Sequence, residues 1–431
     1  MKSYIKTYGC TLNQADSGLI EAILKKNNVS IAQSISDADT VIINTCTVKK
    51  ATEQKILAFI DRLENENTGK KIIITGCMAS ANKDIIRKHS KNSFIMPINN
   101  IEAIAEAAKT SQYIKNTSQE ILFTRKDKER LEYFEPYKSA IAKIPIAEGC
   151  LSACNFCETR FARGSLKSFS EKLILNAVKK SIDFGAKEIQ LTAQDLGCYG
   201  FDKKTNIVEL LKKINSIEGD FMVRLGMMNP EYLDRFASNL IDIINYDKFY
   251  KFLHVPIQSG SNKILQEMGR HYKIEDIIQH IRNIRKNIPE ISIETDIIVG
   301  YPTETEEDFE RTLDAIKMIE PNAMNISKFA VRPHAKKWKI KVNPEIVNER
   351  SRELSKIMRF YMYKDNKKYT NKIIDAIITE KTKISINGRN KSYKQIVITE
   401  NNTDGNLIGS RQRILIDFVT PTSLYGSIIN K

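Results

Sequence analysis

The first 110 residues repeat one pattern three times: a short apolar run that ends in cysteine, then a polar stretch with apolar residues at helical spacing. The runs end in KTYGC (Cys10), VIINTC (Cys46) and IIITGC (Cys77), and the helical stretches fall near 14–27, 51–66 and 82–90. Strands alternating with helices predict a parallel sheet whose strands all finish on one edge. Neighbouring strands lie about 4.8 Å apart, so three strand-end thiols come within reach of one cluster. Singly, each cysteine is an ordinary buried small side chain, and only the set of three suggests ligands. A further strand and helix, SFIMPI and NNIEAIAEAAK, complete a unit ending near residue 110.

Residues 111–138 hold many charges and neither Gly nor Cys, as a linker or covering segment would. A second alternating series then predicts strands at 141–147, 187–194, 221–228, 251–258, 291–299 and 323–330, with helical patterns such as IEDIIQHIRNIRK between them. That is six βα units, two short of a closed eight-fold barrel. Sites in parallel α/β folds lie at the carboxyl ends of the strands. The candidate pocket residues there are a loop with three cysteines, Gln194-Asp195, Met228-Asn229-Pro230, Gln258-Ser259-Gly260-Ser261, Gly300-Tyr301-Pro302 and Arg332. From 333 the chain becomes a basic helical connector whose Met and Tyr residues at helical spacing suggest a packing face. Residues 373–431 show short alternating runs (IIDAIITEK, YKQIVITE, RQRILIDFV, YGSIIN) with turn signals at Asn387-Gly388, Asp404-Gly405 and Pro421-Thr422. Such spacing predicts a small β-barrel.

The chain is therefore read as an α/β multidomain protein. It has an N-terminal Rossmann-like parallel α/β domain (1–110), a linker (111–138), a central partial (βα)6 TIM-type barrel (139–332), a basic helical connector (333–372) and a C-terminal β-barrel (373–431). The formal charge of +15 over 431 residues favours a polyanionic partner bound through counterion release. Residues 367–431 alone carry 11 Lys/Arg against 5 Asp/Glu, which fits an RNA backbone. MKSYIKTYGC lacks the apolar stretch of a signal peptide and no run is long enough to cross a bilayer, so a cytosolic protein with no membrane partner is expected. Seven cysteines in a reducing compartment suggest metal ligands before disulfides.

Cys150-x3-Cys154-x2-Cys157 directly follows the first barrel strand. Soft thiolates hold zinc or iron–sulfur clusters, and a closed zinc site would want a fourth ligand close by. A [4Fe-4S] cluster on three thiolates keeps one iron open to a substrate. The spacing resembles the cluster loop of the radical S-adenosylmethionine superfamily. In that superfamily the open iron chelates S-adenosylmethionine, and one electron releases a 5′-deoxyadenosyl radical, chemistry that belongs to the cofactor.

The order of parts resembles the methylthiotransferase family: a three-cysteine domain, a radical S-adenosylmethionine domain and a TRAM domain. The matching pieces are TYGCTLNQADS, INTCTV, ITGCMA, EGCLSACNFCETRFARGSLKSF, LTAQDLGCYG, LHVPIQSGSNKILQEMGR, TDIIVGYPTETEEDFE and FAVRPHA. TYGCTLNQADS and the ARGxLxS stretch are most similar to the archaeal and eukaryotic branch. That branch places a methylthio group on C2 of N6-threonylcarbamoyladenosine beside the tRNA anticodon. The resemblance implies that Cys150, Cys154 and Cys157 hold the cluster that cleaves S-adenosylmethionine. Cys10, Cys46 and Cys77 would hold an auxiliary [4Fe-4S] cluster that carries the sulfur, with two S-adenosylmethionine molecules used per turnover.

It further implies that Gln194, Asp195, Gln258 and Ser259 lie near S-adenosylmethionine. Asn13, Asp16, Arg163 and Arg332 are substrate-side candidates, Asn13 and Asp16 as residues that shape the auxiliary cluster or the substrate pocket and the two arginines as partners for a phosphate or the threonyl carboxylate. No side chain is a catalytic residue in its own right. The expected partners are a tRNA anticodon stem-loop, a reductant protein and a sulfur donor. Cys198 is read as a non-ligand, His254 and His271 as structural, and PTETEED as a capped helix start. Two loops depart from the family pattern, Tyr301-Pro302-Thr303-Glu304 and Arg332-Pro333-His334-Ala335. Alternatives are methylthiolation of isopentenyladenosine in tRNA, methylthiolation of a ribosomal-protein aspartate, and a non-catalytic RNA-binding iron–sulfur protein.

Overall fold

The computed structural model describes residues 1–66, 69–110, 129–334, 338, 340–382, 384–398 and 407–429. Most of the expected linker and the Asp404-Gly405 turn lie outside these residues, as does Ala335.

Five parallel strands form the first sheet, in the order β2-β1-β3-β4-β5: β1 (Lys2–Thr7), β2 (Ser30–Ile31), β3 (Thr40–Thr45), β4 (Lys71–Gly76) and β5 (Phe94–Ile95). Every residue of β3 is buried, as expected of a central parallel strand covered on both faces. Helices α1 (Thr11–Lys26), α2 (Lys50–Asn65), the short α3 (Cys77–Ala81) and α4 (Lys83–His89), and α5 (Ile104–Lys109) flank it. Because β1, β3 and β4 are direct neighbours, Thr7 lies opposite Asn44, and Thr45 opposite Gly76. The three cysteines that follow these strands thus leave the sheet at one edge.

The second sheet system starts at β6 (Ile141–Pro145). A two-strand ribbon, β7 (Ala147–Glu148) with β8 (Lys167–Ser168), brackets the three-cysteine loop and α6 (Thr159–Arg163). The remaining parallel strands are β9 (Glu188–Thr192), β10 (Met222–Leu225), β11 (Phe252–His254), β12 (Ser292–Val299) and β13 (Ala323–Lys328). They pair as β6-β9-β10 and β11-β12-β13, and the bridges Val223–Phe249 and Met227–His254 join the two halves. Among the described residues no pairing joins β13 to β6, so the barrel is open, and α1 packs against β6 on that side. Helices α7 (Glu171–Asp183), α8 (Ile207–Asn215), α9 (Leu233–Asn245), α10 (Asn262–Glu267), α11 (Ile274–Asn287) and α12 (Glu306–Ile319) cover the outside.

Two loop details answer expectations from the sequence. The PTETEED stretch starts α12 with a capping box between Thr305 and Asp308. In the departing Tyr-Pro-Thr-Glu loop, Glu304 accepts from the Gly300 amide at 2.8 Å and pairs with Arg350 at 2.7 Å.

Helix α13 (Pro344–Lys367) lies along β13. Its Ile357, Met358 and Tyr361 pack on the core while Phe360 and Tyr363 face solvent. No helix among the described residues is long and apolar enough to cross a membrane. The chain ends in a closed five-strand barrel of β14 (Ile373–Lys381), β15 (Ile386–Arg389), β16 (Gln395–Ile398), β17 (Arg411–Val419) and β18 (Leu424–Ile428). Asn387-Gly388, expected as a turn, lies inside β15. There a side chain on residue 388 would meet the Ile377 carbonyl at 2.9 Å, so glycine serves close strand approach and not a bend.

The terminal barrel docks at the amino-terminal ends of the central strands, the edge opposite the cysteine loop. Tyr393 and Ile377 pack on Met222, Tyr250 and Phe252, the Lys251 amide donates to the Lys391 carbonyl at 2.8 Å, and Arg411 pairs with Asp220 at 2.6 Å.

Candidate metal centres at the strand ends

Two glycines shape the N-terminal edge. Gly9 (φ +105°) and Gly76 (φ +95°) precede Cys10 and Cys77 in the left-handed region. A Cβ on Gly9 would lie 2.7 Å from Cys46 Cβ, and one on Gly76 would lie 2.4 Å from the Thr45 amide nitrogen. Asn13, fully buried on α1, then ties the edge together. Its Nδ2 donates to the carbonyls of Tyr8 (2.9 Å) and Thr45 (2.8 Å), and its backbone carbonyl accepts from Asn44. Cys46 and Cys77 are buried and Cys10 is exposed, and the thiols are close enough that a charge on Cys10 raises both buried ones. Burial pushes the Cys77 thiol up to about 11, with the Arg163 charge pulling it down. Metal binding here therefore releases protons.

The barrel loop is pinned by its residues other than cysteine. Ser152 Oγ donates to Glu231 Oε1 at 2.9 Å, and Asn229 Nδ2 donates to both. Asn155 bonds to the backbone of Glu267 and Met268. Asp195 is enclosed at the end of β9, where its Oδ1 accepts from the amides of Gly197 (2.9 Å) and Asn229 (3.1 Å). Burial and then the Cys150 thiolate push its carboxyl up to about 7. Cys198, read as a non-ligand, is buried against this loop: its sulfur, the Cys150 sulfur and an Asp195 oxygen lie within 4.8 Å of one another. It donates to the Asp195 carbonyl at 3.2 Å. Arg270 was not singled out from the sequence although it ends the QEMGR stretch. It is half-buried, and its charge lies near Cys154 and Cys157.

Gln194 and Asp195 stand at the edge beside this loop. Gln258 has φ +64° and is buried, with its backbone N–H donating to the Asp296 carbonyl at 2.8 Å. The Ser259 hydroxyl is engaged with Thr312 and the Ser261 amide. Asn13, Asp16, Arg163 and Arg332, expected on the substrate side, are all engaged within the chain. Arg163 is fully enclosed and pairs with Asp16 at 2.5 Å, while Arg332 pairs with Glu53 at 2.6 Å and donates to the Val48 carbonyl at 3.0 Å. Both charges are thus already neutralised within the protein and join the N-terminal unit to the barrel, and an incoming carboxylate would have to displace one in place.

Each cysteine set offers three sulfur donors, the chemistry of an iron–sulfur group with one open position. At the barrel edge, Gln194 Oε1, Asp195 Oδ2 and Asn229 Oδ1 are enclosed without a partner. Buried acceptors call for donors, and a ligand bearing an amino group fits them. The two sets adjoin, because α3, which begins with Cys77, packs against α6, which follows Cys157.

The model of the uncharacterized protein family UPF0004 matches residues 2–96, and that of the radical SAM superfamily matches 144–316. A Pyrococcus horikoshii protein named probable threonylcarbamoyladenosine tRNA methylthiotransferase is 39% identical over 93% of this chain and 94% of its own. The human threonylcarbamoyladenosine tRNA methylthiotransferase is 32% identical over 93% of this chain and 70% of its own. Among solved structures, the radical S-adenosylmethionine methyltransferase TsrM from Kitasatospora setae, with cobalamin and a [4Fe-4S] cluster bound, aligns with a TM-score of 0.54. It covers 78% of this chain and 73% of that one at 14% identity, a likeness of fold.

Proposed function

Because the chain belongs to the threonylcarbamoyladenosine tRNA methylthiotransferase family, we propose that it converts N6-threonylcarbamoyladenosine beside the tRNA anticodon to its 2-methylthio derivative. The observation that carries this reading is the adjacency of two separate three-cysteine sets at α3 and α6. When bound, [4Fe-4S] clusters and S-adenosylmethionine supply the radical chemistry that an aromatic C2–H requires, since no side-chain base can deprotonate it.

The chain's own residues hold and orient. Cys150, Cys154 and Cys157 carry one cluster, and Cys10, Cys46 and Cys77 carry the other. Gln194, Asp195 and Asn229 offer acceptors to the amino group of S-adenosylmethionine, and the Gln258-Ser259 turn shapes the pocket wall. A reductant protein and a sulfur donor complete the reaction from outside, in the cytosol. An anticodon-loop base is single-stranded and can be splayed into the strand-end pocket at modest cost. The central strands run to eight residues, about 26 Å. One tRNA arm can therefore present its loop at the cysteine edge while its backbone meets the basic terminal barrel at the other.

The test is iron content with nucleoside mass spectrometry. The reconstituted chain should hold two clusters, Cys150→Ala should keep one, and Cys46→Ala should form 5′-deoxyadenosine without methylthio product. Turnover should require tRNA bearing threonylcarbamoyladenosine. Equal turnover of unmodified tRNA, or product only on isopentenyladenosine, would overturn the substrate. Four irons in the intact chain would overturn the two clusters.

A further inference from the structure

Arg163 is the last residue of α6, six positions after Cys157, and its side chain has no exposed surface. Its guanidinium reaches out of the barrel unit into the N-terminal one. Nε donates to the Cys77 sulfur at 3.3 Å, while Nη2 donates to Asn13 Oδ1 at 2.8 Å and to Asp16 Oδ2 at 2.5 Å. Nη1 is enclosed and has no partner. Asp16 in turn lies 3.9 Å from Arg130, which meets Glu148.

A purely structural ion pair explains Asp16 but not the sulfur. A neutral thiol is a weak acceptor, and burying a cation's N–H against one would leave that donor poorly satisfied. A metal-bound thiolate is a charged acceptor, and a hydrogen bond to it is a strong one. The unpartnered Nη1 leaves one further donor for a group that is not part of the chain.

We propose that Arg163 is a positioning residue for the N-terminal metal group. Donating to the Cys77 sulfur while held by Asp16 and Asn13, it fixes that group against the helix following the barrel's cysteine loop and raises its reduction potential. This rests on the two-cluster assignment above. Donors and positive charge at a cluster's sulfurs favour its reduced, more negative state. The same rigid link sets the separation between the two cysteine sets, on which productive transfer between them depends.

The test uses the full chain with both clusters reconstituted, as wild type, Arg163→Met and Arg163→Lys. Potentiometric titration followed by electron paramagnetic resonance should show one cluster at an unchanged potential and the other harder to reduce in Arg163→Met. The expected change is at least tenfold in the reduction equilibrium, about 59 mV for one electron. Arg163→Lys should be intermediate, since it keeps the charge but not the fork of donors. In parallel, 5′-deoxyadenosine formed per methylthio product should rise at least tenfold in Arg163→Met.

A measurement on the unaltered chain covers a variant that fails to fold. With guanidinium 15N label, the reduced N-terminal cluster should show a 15N hyperfine coupling, and Arg163→Lys should lack it. No coupling in the unaltered chain, or identical potentials and product ratios across the three proteins, would overturn the role of Arg163. An iron count of four in the unaltered chain would instead overturn the two-cluster assignment beneath it.

Discussion

Removing one phenol oxygen should loosen the terminal barrel. Tyr393 donates to Glu188 Oε1 at 2.8 Å and accepts from Gln190 Nε2 at 3.1 Å, and Tyr250 donates to the other carboxylate oxygen at 3.1 Å. Glu188 is fully buried at the start of β9, so its carboxylate depends on these donors. Burial, then the Glu188 charge, pushes the Tyr393 hydroxyl well above its ordinary pKa, which keeps it a donor across the usable pH range. A hydrogen bond to a charged group is worth about 1.5–3 kcal/mol. Tyr250 and Gln190 remain as donors in Tyr393→Phe, which favours the lower half of that range. Undocking should therefore become on the order of 10- to 30-fold easier. Tyr393→Ala also removes ring contacts to Tyr250 and Phe252, with centroids 4.8 and 4.9 Å away. Its cost should reach about 3–5 kcal/mol, more than a hundredfold. The assay is native-state hydrogen exchange at the Lys251 amide, whose acceptor is the Lys391 carbonyl across the interface. Protection that changes less than threefold in Tyr393→Ala would refute the idea that this cluster holds the barrel in place.

Two further outcomes follow from the same end of the molecule. Burial alone would raise the Asp365 carboxyl, but the Lys394 charge and hydrogen bonds from Lys394 and Asn322 outweigh it and hold the pKa at about 2, below its ordinary 3.8. The stabilisation is thus complete above pH 4 and lost as pH falls towards 2, by at most roughly 2.5 kcal/mol and less once Lys394 desolvation is counted. Urea unfolding of the metal-free chain should show this acid loss, and Asp365→Asn should abolish it; an unchanged pH slope would refute the pairing. Lys372, Lys381 and Arg413 are exposed on the terminal barrel, and replacing all three with Gln should weaken tRNA binding and reduce its salt slope by up to about 2–3. An unaltered slope would mean that these three residues do not meet phosphate.

The features legible in the sequence were those set by local pattern and by topology. The alternation of strand and helix implied parallel order, and parallel order alone puts Cys10, Cys46 and Cys77 on one edge, as it puts Gln194, Asp195 and Asn229 beside the barrel loop. What stayed hidden was pairing at long range. Arg163 and Asp16 are 147 residues apart, and Arg332 and Glu53 are 279 apart. With 67 basic and 52 acidic residues, thousands of combinations are open, and nothing in the spacing selects these two. Both arginines therefore looked free for an incoming carboxylate. Asn387-Gly388 failed for a related reason: turn propensity is local, whereas the Ile377 carbonyl that requires a glycine at 388 arrives from another strand. The docking edge of the terminal barrel was equally silent, since Glu188 reads as any strand-start acid until Tyr393, 205 residues later, is packed on it. These hidden pairs share a consequence. Arg163 and Arg332 each join the N-terminal unit to the central barrel, and Tyr393 joins the terminal barrel to its opposite edge, so the long-range contacts are what hold three separately readable units together.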